Sequence, residues 1–104
     1  MSRSELERLT DSGNESAIIE GLLSAAYYDP DWRWVQSLCL RFLAHSDNGV
    51  RSNAAICLGH IARIHGKLDI ETVLPRLTEL QGDASIGPWV EDALDDIKFF
   101  LRFQ

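Results

Sequence analysis

Three histidines, two cysteines and a cluster of carboxylates are the side chains of this sequence best suited to chemistry. His45, His60 and His65 supply the side-chain bases that titrate near neutral pH. His60 and His65 stand five apart in one helical stretch, off the i, i+4 spacing that puts two ligands on one face for a metal. His45 falls where a helix ends, an ordinary place for a cation beside the C-terminal dipole. Cys39 and Cys57 match neither a zinc pattern nor a CxxC redox pattern. Both lie at core phases of apolar runs, so they read as buried reduced thiols. Glu91, Asp92, Asp95 and Asp96 crowd a single helix. No histidine or hydroxyl lies near them in sequence to complete a metal site or an acid–base pair. Phosphate-binding loops, dinucleotide fingerprints, nucleophile elbows and HExxH are all absent. The expectation is a protein that binds rather than catalyses, with no cofactor and no metal.

The elements that position these residues are all helical. ESAIIEGLLSAAYY, roughly 15–28, carries an apolar stripe through Ile18, Leu22, Ala25 and Ala26, with Asn14 as cap. A second helix spans roughly 30–44, capped by Asp29 with Pro30 in its first turn. A third spans roughly 48–65, capped by Asp47 and closed by Gly66. A weaker one over roughly 70–81 starts at Asp69 and must be kinked or shortened by Pro75. The last spans roughly 88–102, with Pro88 in its first turn. No segment alternates with period two for long enough to make a strand. Short connections imply antiparallel neighbours, and residues 1–13 read as a loosely packed N-terminal arm of a single domain.

Trp32 and Trp34 sit at opposite edges of an apolar arc that is centred on Val35, Cys39 and Phe42. At about 100° per residue that arc is too wide for one neighbour to cover. The helix is therefore expected to lie between two others, each meeting one indole, which makes both tryptophans structural. Arg51 also has a structural reading. It falls inside the apolar arc of its helix, where a charge needs a partner, and Asp47 one turn earlier or an acid of a neighbouring helix would serve.

The chain has 104 residues, a net charge of −6, 45% apolar and 25% charged residues, an ordinary soluble balance. Residues 1–30 hold six acids and two bases and residues 83–104 five acids and two bases, so both ends are acidic while the middle is near neutral. An acidic surface repels nucleic-acid phosphates and attracts basic proteins. No apolar run is long enough to span a bilayer, and the first residues lack a hydrophobic signal segment, so the expected location is the cytoplasm and no membrane partner is expected.

SDNGVRSNAAICLGHIARI (46–64) is echoed by GDASIGPWVEDALDDIKFFL (82–101), and Val50 and Val90 stand 40 residues apart, a two-helix solenoid period. Leu74, Pro75, Leu77, Leu80 and Asp83, with Asp47, Val50, Arg51, Ala54, Ala55, Leu58 and Gly59, resemble the helices of the HEAT-repeat family. The resemblance covers roughly residues 29–101 and departs at a longer loop before Val90 and at Glu91, where an arginine is expected. It implies an all-α fold, a short α-solenoid of antiparallel helix pairs with about five helices. DPDWRWVQ and VEDALDDI are further similar to short bacterial HEAT-like immunity proteins of polymorphic toxin and contact-dependent growth-inhibition systems.

Aligning the third and last helices by Val50 and Val90 leaves Ile56 in one sector with Asp92, Asp96, Phe99 and Phe103. Asp95 and Glu91 stand beside them. Acids mixed with aromatic rings suit a basic protein partner. The phenylalanines either anchor that partner or cover the free end of the stack. Two functions fit: an inhibitor that occludes the active site of a basic, nuclease-type toxin, and a scaffold or adaptor that inhibits nothing. The oligomeric state stays open.

Overall fold

The computed structural model describes residues 1–102, and within them six helices account for nearly every ordered turn: α1 (Arg3–Thr10), α2 (Glu15–Tyr28), α3 (Trp32–Phe42), α4 (Asn48–His65), α5 (Ile70–Leu80) and α6 (Gly87–Leu101). The described residues form no strand. The expected loose arm is instead α1. Ser2 and Glu5 close a reciprocal capping box: the Glu5 N–H donates to Ser2 Oγ at 3.2 Å and the Ser2 N–H to Glu5 Oε1 at 3.3 Å. An eight-residue helix is marginal alone, and α1 is held by burial of Leu6 and Thr10 against α2. Gly21 permits the close approach, because a Cβ there would stand 2.9 Å from Thr10 Cγ2.

The other boundaries follow from their caps. Asn14 accepts from the Ala17 N–H at 2.9 Å, Asp47 from the Val50 N–H at 2.9 Å, and Gly66 ends α4 at φ 63°. The start of α3 is displaced from the expected position. Asp29 accepts from the Asp31 N–H, forming a turn around Pro30, and Asp31 is the cap that accepts from the Trp34 N–H at 3.2 Å. Pro75 neither ends nor splits α5, which runs through it. The Asp69 carboxylate accepts from the Thr72 hydroxyl, and its backbone N–H donates to buried Gln36 at 2.7 Å, tying α5 to α3.

The helices α2, α4 and α6 lie side by side with α4 in the middle, and α4 packs most extensively on α6. Neighbouring positions ascend together, Ile19 beside Gly49 and Tyr27 beside His60, so α2 and α4 run parallel. Arg51 to Asp83 and Gly59 to Ala93 give the same sense for α4 and α6. On the inner side α1 covers α2, α3 covers α4 and α5 rests on α6. Between the two sets lies the core, which includes Leu22, Val35, Leu58, Ile61, Leu77, Val90 and Ile97, all fully buried. Cys39 and Cys57 meet there as free thiols from α3 and α4, and their mutual hydrogen bond together with burial pushes the Cys39 thiol well up.

Both tryptophans are half-buried, and they face different neighbours. The Arg3 guanidinium of α1 lies 3.7 Å over the Trp34 ring. Trp32 turns toward Leu68, in the connection from α4 to α5, and toward Leu101 of α6.

Arg51 does not pair with Asp47, whose carboxylate is committed to its cap. It reaches Asp83 at 2.6 Å, before α6, and Asn48 at 3.0 Å. Its side chain is only 17% exposed. The Arg51 hydrogen bond, with the Ser85 N–H, holds the Asp83 carboxyl below its ordinary range. A carboxyl lowered on folding adds stability above its unfolded pKa and loses it as pH falls through the folded one. The wild type should therefore be more stable than Asp83→Asn at neutral pH, and the difference should shrink below about pH 4. Thermal midpoints of both proteins between neutral and acid pH measure this, and a pH-independent gap would exclude the ion pair as its source.

Candidate functional site

The outward side of α2, α4 and α6 is where apolar surface is left uncovered. Seven large apolar side chains are exposed among the described residues: Met1, Tyr27, Tyr28, Ile64, Trp89, Phe99 and Phe100. Six of them belong to α2, α4 and α6, and none to α1, α3 or α5. A face with this much ring surface is unusual on the outside of a small helical protein and suits a partner.

Close contact between α4 and α6 brings the sequence-derived residues together. A Cβ on Gly59 would stand 3.3 Å from Ala93 Cα and 3.2 Å from Asp96 Oδ2. With no side chain between the helices, half-buried Ile56 of α4 lies one turn from the point where Asp96 crosses, and Asp92 and Phe99 follow on the same stripe of α6. Asp92 is exposed and Phe99 is 72% exposed. Asp96 is half-buried because it lies against Gly59. Glu91 and Asp95 are exposed on an adjacent stripe, about 100° round the helix. Phe103 lies outside the described residues.

Several residues of this face escaped the sequence reading. Phe100 stands three residues after buried Ile97 and seven after buried Ala93, a core phase, yet it is 38% exposed and meets Phe99 edge-on with centroids 4.9 Å apart. Trp89 stands exposed in the first turn of α6. At the other edge, the last turn of α2 stacks Tyr27 on His60 of α4, with ring centroids 4.8 Å apart. The Tyr27 hydroxyl lies 3.4 Å from His60 Nε2, and Arg63 Nη2 lies 3.2 Å from His60 Nδ1. Arginine only donates, so Nδ1 accepts, and the neutral ring carries its proton on Nε2 toward Tyr27. Burial, and then the Arg63 charge, lower the His60 pKa, while Asp96 acts the other way. Adjacent tyrosines in the last turn of a helix were the available signal for this cluster.

The remaining histidines have local structural surroundings. His45 Nδ1 accepts the Asp47 N–H at 3.0 Å, and His65 ends α4. Among the described residues no three His, Cys, Asp or Glu side chains gather as metal ligands, and no helix is long and apolar enough to cross a membrane. Trp32 also walls a concavity of about 380 Å³ with Leu68, Ile70 and Leu101, adjoining a second one beside Arg33 and Gln36.

No protein-family model and no curated protein matches this chain. Among solved structures it is similar to a chain in the crystal structure of a CDI complex from Cupriavidus taiwanensis LMG 19424. The two share 34% identity and superpose with a TM-score of 0.86, over 96% of this chain and 90% of the other. Identity and coverage at that level place the chain in one family with that component of the CDI complex.

Proposed function

We propose that this chain is an immunity protein, which binds a cognate toxin of a contact-dependent growth-inhibition system and neutralises it by covering its active site. The single observation that carries the reading is the likeness, nearly end to end, to a chain of a CDI complex. Three features support it further. The pairs α1/α2, α3/α4 and α5/α6, with α2, α4 and α6 parallel, are compatible with the short HEAT-like α-solenoid that this reading takes the fold to be. Their outward helices carry exposed rings beside Asp92 and Asp96, and the net charge is −6. Such a surface steers toward a basic protein of nuclease type and then anchors on it. On this reading the protein works in the cytoplasm, by occlusion rather than by catalysis.

The test is co-expression with a candidate cognate toxin domain, sought among the genes that neighbour this one. Growth arrest by the toxin should be relieved, the two proteins should elute as one complex, and association should slow as salt rises. A complex without rescue would indicate a non-inhibitory adaptor instead. Absence of both complex and rescue would end the immunity reading.

A further inference from the structure

The acids of α6 account for only one half of the outward face. At the other half stands Arg63, an exposed cation in an otherwise acidic protein. Arg3, Arg41 and Arg51 each bridge to a carboxylate, whereas Arg63, like the remaining basic side chains, bridges to no acid among the described residues; what sets it apart is its place on α4 against His60 and Tyr27. Its one hydrogen-bonding neighbour is a neutral acceptor, His60 Nδ1 at 3.2 Å, and its guanidinium lies 5.9 Å from the Tyr27 ring centre. The contact with His60 uses one Nη of the fork and leaves the rest facing solvent with its full charge. His60 is itself held between Arg63 and Tyr27, so the arrangement is fixed before any partner arrives. Tyr28, 79% exposed, stands beside Tyr27 with centroids 6.2 Å apart. An arginine beside one tyrosine, with a second exposed tyrosine next to that one, has the composition of a binding hot spot, and its fork matches a carboxylate with two parallel hydrogen bonds.

We propose that the docking face carries both signs: Arg63, with Tyr27 and Tyr28, receives a carboxylate of the toxin, while Asp92 and Asp96 meet its cations. This rests on the immunity reading. The cation stands on α4 and the acids on α6, so a complex docked with these two helices exchanged would set like charges together, and the pair of signs fixes its orientation. A nucleic-acid phosphate is the poorer occupant for Arg63, because the acids of α6 repel a polyanion lying across the same face.

The two ideas of the face predict opposite signs. On a uniformly basic partner Arg63 is a repulsive residue, and removing its charge tightens binding. On a partner offering a carboxylate, removing it weakens binding. The probe is the purified cognate toxin domain that the co-expression test identifies. Affinity is measured for the wild type, Arg63→Ala, Arg63→Lys, Arg63→Glu and Tyr28→Ala, with a thermal midpoint for each. The expected result is at least a tenfold loss for Arg63→Ala, a larger loss for Arg63→Glu, partial recovery with Arg63→Lys and a loss for Tyr28→Ala, all with near-native thermal midpoints. Unchanged or tighter binding by Arg63→Glu overturns this proposal and leaves the immunity reading standing. No binding by the wild type overturns both.

Discussion

Replacing Gly59 with leucine is expected to lower stability by about 3 kcal/mol or more, the upper range for forcing extra carbons into a filled interface. For a domain of this size that means roughly 10–20 °C in thermal midpoint. The contact at stake is the most extensive one in the molecule, α4 on α6. The neighbour of a new Cβ is Ala93 Cα at 3.3 Å, a backbone atom that no rotamer change can move aside. The Asp96 carboxylate, 3.2 Å away, blocks the other direction. Alanine at the same position needs a shift of a few tenths of an ångström, and its better helix propensity offsets about 1 kcal/mol of that strain. Gly59→Ala should therefore stay close to the wild type while Gly59→Leu collapses the interface, and toxin binding through α6 should fall with it. Thermal or urea denaturation of the two variants side by side is sufficient. Equal stability of the pair would mean that α4 and α6 do not approach as closely as described.

Local signals carried much of this fold. Asn14, Asp47 and Gly66 mark the ends of α2 and α4 by chemistry that any helix terminus needs, and the structure places those ends where the caps do. The failures are equally physical. Its only large apolar side chains being Leu6 and Leu9, α1 showed almost no periodicity, yet the Ser2 and Glu5 pair was in plain view as a capping signal. Asp29 and Asp31 flank Pro30 and both can cap, so the sequence could not choose between them. For Arg51 the need for a partner was legible, but the partner was not. Asp83 is 32 residues away, and the nearby Asp47 was already taken by the Val50 N–H. The site divides in the same way. Helix phase grouped Asp92, Asp96, Phe99 and Ile56, because it tells direction. It gives Phe100 a core phase, but it does not tell whether a neighbour exists on that side of α6, and Phe100 is left exposed. The Tyr27–His60–Arg63 cluster joins residues 33 apart across two helices, and no periodicity within one helix encodes such a meeting.

Stability and binding should separate at the α6 edge of the face, through Asp92→Lys and Phe99→Ala. Asp92 is exposed, and it heads the stripe that Phe99 continues. Reversing its charge removes attraction for a basic partner and adds repulsion, so association with the toxin domain should slow by roughly tenfold at low salt and less at high salt. Asp96 is the less clean position for this substitution, because its half-buried carboxylate packs on Gly59 and faces His60. Phe99 is 72% exposed and touches the chain chiefly through the edge of Phe100. Truncating it should change folding stability by under about 1 kcal/mol. An anchor ring is worth about 2 kcal/mol or more on binding, so the same change should speed dissociation by roughly thirtyfold. The two effects appear in different rate constants, and in a double variant they should add if the charge acts before contact and the ring after it. Stopped-flow association and dissociation rates, with a thermal midpoint for each variant, decide the matter. Affinity that falls only in step with lost stability would make these residues part of the fold rather than of the docking surface. Affinity that does not move at all would shift the contact to the α2–α4 edge, where Tyr28 and Arg63 are the residues to truncate.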